Sequence, residues 1–554
     1  MKKKIIIAFI LVACVLCATV AISACTGIMK HFVIEDNTIV DLTYYGRRLD
    51  NINIPDGITG IGDEAFSYSS MSSVNIPSSV TNINPRAFIN CKNLTRITVD
   101  KENTVYASDG NCIIDKKTNK VIVGCKGSVI PNYATGIGEY AFYTCGELTS
   151  IEIPEGVTEI GRFAFAECDK LKSIDISEGV TKIDSIAFYR CKELTSIEIP
   201  ESVTEIGRFA FAECRKLTGI KIPEKVTSID EYVFYRCNSL TSMDIPDGVT
   251  EIGKYAFAEC DKLTSIDIPE GVTDIGEYAF YYCTGLTDVV LPSTIDHIAN
   301  GTFNFCKELP SISIPQSVTR IGSRAFDSCR CLTSIDIPLS VTQIEDKAFG
   351  NCPGLVIRYQ GTTKPEGWGS SMSTDEVEVP VILNCNNNEV ADDGYIYTLS
   401  DNGLVYALKD GVAILKGHGR VNGYILIDSA VEYKGQTYQI KEIGDSAFYH
   451  CNNIVSVVIP EGITKIGNSA FLGSSITSVE LPNSLEQIGY MAFALCMELK
   501  SVYIPASVQQ IGIGAFLSAI ENIYCQATEE PEGWDSQWYI GDGETTVEWG
   551  YNPD

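Results

Sequence analysis

Ten cysteines recur at a single spacing: Cys145, Cys168, Cys191, Cys214, Cys237, Cys260, Cys283, Cys306, Cys329 and Cys352 stand 23 residues apart. In an exported protein, repeated thiols raise the chemistry of disulfides and metal ligation. A metal reading fails on ligand count, because one thiol per interval brings no histidine or second cysteine to close a tetrahedral set. A bridging reading fails on direction, because side chains held about 4.8 Å apart on stacked strands run parallel rather than converging. The row is therefore expected to be free thiols filling a small core position. Cys112 and Cys125 differ, since they flank Ile113 to Gly124, a hairpin inserted in the repeating pattern. There a disulfide and two free thiols are equal alternatives.

Other reactive groups are sparse. The four histidines, His31, His297, His418 and His450, share no catalytic spacing with a carboxylate or cysteine, and the sequence holds no phosphate loop, nucleophile elbow or HExxH pattern. No catalytic residue, resident metal or cofactor is assigned, and an enzyme is the least favoured function class. Asp and Glu total 71 against 42 Lys and Arg, a formal charge of −29. Such a surface repels phosphate backbones and anionic headgroups, which argues against nucleic acid as a partner. It suits basic protein surfaces or divalent cations, with plain solubility as the competing explanation.

One acidic row is sharper. Glu152, Asp175, Glu198, Lys221, Asp244, Asp267, Val290, Ser313 and Asp336 follow one another at the 23-residue interval. If those positions stack about 4.8 Å apart, they form a carboxylate ladder broken once by Lys221. It would recruit counter-ions and serve as a docking strip for an extracellular protein with a basic surface, or for Ca²⁺. A solvated sheet face without a ligand is the alternative.

The elements that position these rows are legible from the period. Phenylalanines at 142, 165, 188, 211, 234, 257, 280, 303, 326 and 349 keep the same interval, each three residues before its cysteine. One unit reads Pro-x-x-Val-Thr-x-Ile-Gly-x-x-Ala-Phe-x-x-Cys-x-x-Leu-Thr-Ser-Ile-x-Ile. Looser copies surround Phe66 and Phe88, and a second run surrounds Phe448, Phe471, Phe493 and Phe516. Alternation in Leu148 to Ile153 predicts a short strand with Ile151 and Ile153 on one face and Glu152 on the other. Pro154 ends it, and Glu155-Gly156 supplies a turn. Ile160 to Cys168 is too short for an independent helix and is expected to form one helical or 3₁₀ turn packed by Phe165. No coil can bury its apolar edge alone, so the coils must stack into a solenoid with a parallel sheet along one face.

A longer period of 46 residues overlies the 23. The residue after Phe alternates between Tyr143, Tyr189 and Tyr235 and Ala166, Ala212 and Ala258, and the next alternates between Glu167, Glu213 and Glu259 and Arg190 and Arg236. Stacking then sets opposite charges side by side between coils.

At this unit the sequence resembles the BspA-type leucine-rich repeat proteins of bacterial surfaces, from about residue 50 to the C-terminus. The resemblance implies an open repeat solenoid of short parallel strands, and several members of the family look like adhesins that bind host or neighbouring-cell proteins. It carries over no ligand residue, because none is standardised across the family. A structural component of the envelope without a specific ligand is the alternative function.

The N-terminus reads Lys2-Lys3-Lys4 followed by apolar residues from Ile5 to Ala24, an export signal. Ile22-Ser23-Ala24-Cys25 resembles a lipobox and makes Cys25 the expected lipidated residue, with Leu11-Val12-Ala13-Cys14 a shorter alternative and an uncleaved membrane anchor a third reading. Localisation is thus expected to be the cell surface, with the membrane touched only through that lipid. The expected plan is a signal peptide over 1–24, a strand-rich cap over 25–50 and a first array over 51–385, with a hairpin insert at about 100–131 and a cap at about 356–385. A strand-rich segment over 386–439 and a second array over 440–554 with its own cap follow. Lys364-Pro365-Glu366-Gly367-Trp368 and Glu530-Pro531-Glu532-Gly533-Trp534 mark the two caps, each Trp covering an exposed solenoid end.

Overall fold

A computed structural model describes residues 30–369, 372–373, 379–386, 388–518, 520–540 and 545–552, in two compact units that divide between Leu263 and Thr264. Among the described residues no helix is long and apolar enough to cross a membrane. Cys25 and the segment read as an export signal lie outside the described residues.

In the unit ending at Leu263, each coil joins its neighbour along three faces. The strand Ser150–Ile153 pairs in parallel with Ser173–Ile176, setting Glu152 opposite Asp175. Ile151 and Ile153 are buried and Glu152 is exposed, as alternation requires. The Pro154 carbonyl accepts from the Val157 N–H at 3.0 Å, closing the turn after the strand. A second, shorter strand, Glu159–Ile160, pairs with Lys182–Ile183, which pairs with Glu205–Ile206.

The third face differs from a simple helical turn. Bonds to the residue three back are present: Ala164, Ala166 and Cys168 donate to Gly161, Phe163 and Phe165 at 3.1, 3.2 and 3.3 Å. The intervening N–H groups of Phe163, Phe165 and Glu167 instead donate to Ser185, Ala187 and Tyr189 of the next coil, at 3.3, 2.8 and 2.7 Å. Serving both sets requires left-handed backbone at Phe163 (φ 56°) and Glu167 (φ 58°), which prevents a helix from propagating. A left-handed conformation costs a side-chain-bearing residue roughly 1–2 kcal/mol. Each donor it turns outward gains a carbonyl of the next coil and avoids a buried, unpaired N–H.

The phenylalanines form the spine of this unit. Phe165, Phe188, Phe211 and Phe234 are fully buried and stack with centroids 5.4 to 5.8 Å apart and planes within 5° of parallel. Cys168, Cys191, Cys214 and Cys237 run beside them as free, buried thiols, as the spacing predicted, while Cys145 at the start of the row is half-buried.

At the start of the unit, Phe32–Glu35 and Thr38–Leu42 form an antiparallel hairpin turning through Asp36 and Asn37, both at positive φ. Thr38–Leu42 then pairs in parallel with Gly60–Ile61. The insert comprises Tyr106–Asp109, Cys112–Asp115 and Lys120–Val123, antiparallel to one another, and Lys120–Val123 continues in parallel onto Gly136–Ile137. The insert is thus an extension of the short-strand sheet.

The unit from Thr264 contains the remaining coils of the first run and all of the second. Ser334–Ile337, Val356–Tyr359 and Val381–Leu383 form a parallel sheet, with Asp336 opposite Arg358. Trp368 takes the place of the coil isoleucine, opposite Ile344, and its indole N–H donates to the Val341 carbonyl at 3.1 Å. Trp534 repeats the arrangement: it bridges to Ile511 and donates to the Val508 carbonyl at 3.1 Å. The strands Ile396–Leu399, Leu404–Lys409 and Val412–His418 form an antiparallel meander, from which Val412–His418 passes in parallel to Gln436–Ile443. The second Phe stack begins on the His418 ring, 5.7 Å from Phe448, and ends on Trp538, 5.9 Å from Phe516.

The second run lies against the sides of several first-run coils. Glu308, Cys331 and Gly354 occupy one repeat position in three successive coils. Glu308 meets Arg420 at 3.4 Å and accepts from the Asn453 amide at 2.7 Å, and the Cys331 thiol donates to the Gly419 carbonyl at 3.4 Å. Gly354 touches Gly417 so closely that a Cβ on Gly417 would lie 2.5 Å from the Gly354 nitrogen. Arg330, buried beside them, donates to the His450 carbonyl at 2.8 Å.

Candidate functional site

The acidic row falls where alternation placed it. In the unit ending at Leu263, Glu152, Asp175, Glu198, Lys221 and Asp244 are all exposed, each flanked by buried isoleucine or methionine. Inward Ile151, Ile174 and Ile197 anchor the strands, so the carboxylates between them must point to solvent. Over Glu152, Asp175 and Glu198, with Ser150, Ser173 and Ser196 beside them, runs a shallow groove of 420 Å³. No basic side chain pairs with these three carboxylates among the described residues. Lys221, the one break in the row, is drawn aside to Glu201 at 2.6 Å.

In the unit from Thr264 the same row changes character. Asp267 stands opposite Val290, and Ser313 interrupts the acids further. Asp336 is exposed but neutralised by Arg358 at 3.0 Å. Glu152, Asp175 and Glu198 are therefore the longest stretch of the row that no other residue type interrupts, with Asp244 and Asp267 beyond Lys221.

In the second run the equivalent outward positions carry Leu426, Val458 and Glu480, then Tyr503 and Tyr524. This apolar and aromatic stretch was not singled out from sequence. The signal was present as Leu426 and Val458 at the positions that hold carboxylates in the first run.

Charged pairs between coils lie outside this face. Arg236 meets Glu259 at 2.7 Å, partners one coil apart as the longer period predicted, and Lys182 meets Glu205 at 2.9 Å at a position that period did not single out. Glu213 is almost completely buried, with Arg190 at 3.3 Å and Arg215 at 2.9 Å. Burial alone would push its carboxyl up, but hydrogen bonds from the two guanidinium groups outweigh burial and hold it below the ordinary glutamate value.

Cys112 and Cys125 are both buried free thiols, so the bridge entertained between them is not formed in this structure. The Ser128 hydroxyl lies beside them: it is 3.6 Å from the Cys125 sulfur, accepts the Cys125 N–H at 2.9 Å and donates to the Asn111 carbonyl at 2.8 Å. Burial pushes the Cys112 thiol up to about 12. Among the described residues no group of three or more His, Cys, Asp or Glu side chains is placed to hold a metal ion. His297 sits between Asp296 at 2.7 Å and Asp274 at 3.8 Å, with no nucleophile in the pairing.

The chain resembles several solved bacterial structures. A leucine-rich cell surface protein from Faecalibacterium prausnitzii is 30% identical, with 62% of this chain and 96% of that one covered at a TM-score of 0.42. A leucine-rich repeat protein from Bacteroides ovatus is 23% identical over 94% of this chain and 97% of its own, at a TM-score of 0.39. The pneumococcal vaccine antigen PcpA is 18% identical over 63% and 95%, at a TM-score of 0.38. No functionally curated protein matches. The family model described as a BspA-type leucine-rich repeat region matches residues 25–134, 114–241, 227–356 and 436–530. With coils of this type matched over most of its length, the chain belongs to the BspA-type leucine-rich repeat family.

Proposed function

We propose that this protein is a cell-surface binding module whose first-run sheet face docks an extracellular protein with a basic surface, in the manner of an adhesin. The observation that carries the reading is the groove over Glu152, Asp175 and Glu198: three exposed carboxylates from successive coils, Glu152 directly opposite Asp175, with no cation set against them among the described residues. On another face of the coils, several acids are matched by bases one coil away, as at Lys170 and Glu147 or Lys216 and Glu193. A face left unmatched attracts a partner that supplies the opposite charge. Lys2 to Lys4, the apolar stretch to Ala24 and Cys25 support export and lipid attachment.

The test is capture of basic extracellular proteins by the purified full ectodomain at low and high salt, alongside a variant carrying Glu152→Gln, Asp175→Asn and Glu198→Gln. Binding should weaken steeply between about 0.1 and 1 M salt, where the screening length falls from about 10 to about 3 Å, and the variant should lose it. Unchanged capture by the variant would remove this face from the binding role. Labelling with a fatty acid that disappears in Cys25→Ala tests the anchor separately.

A further inference from the structure

We propose that the strand Gly423–Leu426 receives an extended segment of a partner polypeptide by strand addition, with basic side chains of that segment meeting an acidic rim. The site belongs to the strand-rich segment that leads into the second run and is separate from the first-run acidic face.

Gly423–Leu426 is the first strand of its sheet. It pairs with Ile454–Val458 on one side, and among the described residues no strand covers its other edge. The direction of its backbone groups follows from two bonds: the N–H groups of Gly423 and Ile427 donate to Asn453 and Val458 at 2.8 and 3.2 Å. Odd positions thus face the neighbour, and by alternation the groups of Tyr424 and Leu426 face the open edge. The Leu426 carbonyl already accepts an amide from that side, from Asn402 Nδ2 at 3.4 Å.

Proteins commonly guard an open edge with charge or proline. Here Val421 to Ile427 contains neither. Tyr424 is 84% exposed and Leu426 63%, and Leu399 across the cleft is 54% exposed. The cleft along this edge has a volume of 730 Å³, enough for the backbone of a short strand with side chains on both sides. Asp401, Asp428 and Glu432 stand on its rim, and the rim's Arg420 is turned to Glu308. An occupant that fits supplies backbone hydrogen-bonding groups to Tyr424 and Leu426, apolar side chains to their exposed faces, and a lysine or arginine to the rim.

Fluorescence anisotropy on the full ectodomain tests this with three synthetic peptides: an alternating Val/Thr strand carrying lysines, the same strand with glutamates in their place, and the lysine strand N-methylated at alternate amides. The lysine peptide should bind, and the other two should bind at least about tenfold more weakly, a difference of about 1.4 kcal/mol. Leu426→Lys, made in a chain already carrying Glu152→Gln, Asp175→Asn and Glu198→Gln so that the first-run face contributes no peptide binding, should abolish the binding that this triple-variant background retains. N-methylation tests the strand geometry without altering the protein. Absence of binding by the lysine peptide, equal binding of the N-methylated or glutamate peptide, or unchanged binding by Leu426→Lys would overturn the proposal. A concentration-dependent dimer of the unaltered chain that Leu426→Lys dissolves would also overturn it, by making a second copy the occupant.

Discussion

The Cys168 thiol donates to the carbonyl oxygen of Phe142, 3.2 Å away in the preceding coil, and that carbonyl also accepts the Cys145 N–H at 3.0 Å. Cys191 repeats the contact to Phe165, Cys214 to Phe188 and Cys237 to Phe211. The repeated cysteine thus fills a small buried space and supplies a weak donor to a second lone pair of a buried carbonyl. Its chemistry is structural, because burial disfavours the thiolate: Cys214 is pushed up to about 12.

Thiol reagents at pH 8 should therefore leave Cys168 to Cys260 unmodified in the native chain and reach them only after denaturation. Counting modified thiols in the two states by mass spectrometry checks this. Rapid native labelling of Cys214 would show that the coils open.

Phe211 lies fully buried between Phe188 and Phe234. Phe211→Ala should cost about 3–5 kcal/mol by chemical denaturation. Because coils interact chiefly with their neighbours, hydrogen exchange should rise first in the flanking coils. A loss below about 1 kcal/mol would mean the stack collapses to refill the space.

The Trp534 indole combines cover with a hydrogen bond to the Val508 carbonyl. Trp534→Phe retains most of the cover and should cost about 0.5–1.5 kcal/mol for the bond, plus a term for the smaller ring. Trp534→Ala should cost about 3–5 kcal/mol. Equal melting temperatures for the two variants would mean that the ring adds nothing as a cover.

Glu213 gives stability a defined pH dependence. Its folded carboxyl titrates below its unfolded value, so its contribution is present above the unfolded pKa and fades as pH falls through the folded one. Glu213→Gln should be less stable than the parent at pH 7, by about 1.5–3 kcal/mol for the lost charged hydrogen bonds. The two should converge as pH falls through the folded value of that carboxyl. A constant difference across that range would show that the carboxylate charge is not what matters.

Gly417→Ala places a methyl group where the Gly354 backbone lies. The second run should then separate from the sides of the first-run coils, exposing Arg330 and Cys331. Limited proteolysis between 386 and 439, accelerated relative to the parent, is the expected readout, together with Cys331 becoming open to thiol reagents.

Much of this was legible in the residues. The Phe and Cys intervals fixed the coil register, and alternation in Ser-Ile-Glu-Ile placed Glu152 and its equivalents outside, because a strand has only two faces. The docking of the second run was not legible in the same way. Where several earlier coils carry Glu147, Lys170, Glu193 and Lys216, Cys331 and Gly354 are uncharged beneath the second run, but Ser239 and Gly285 are uncharged at the same position and Glu308 is charged, so residue type alone did not mark the contact. The open edge at Tyr424 was hidden for a different reason: pairing depends on which strands arrive beside it, and a single strand's residues do not state that.

By itself the sequence determined the period, the buried Phe and Cys rows and the outward acids, since each follows from local alternation and repetition. Tertiary structure alone decided the backbone at Phe163 and Glu167. Neither residue favours left-handed φ, and each adopts it because its own turn and the next coil's carbonyls at Ser185, Ala187 and Tyr189 compete for successive N–H groups. Which carboxylates stay open was settled the same way: Asp336 and Glu152 occupy one repeat position, yet only Asp336 has an arginine stacked beside it.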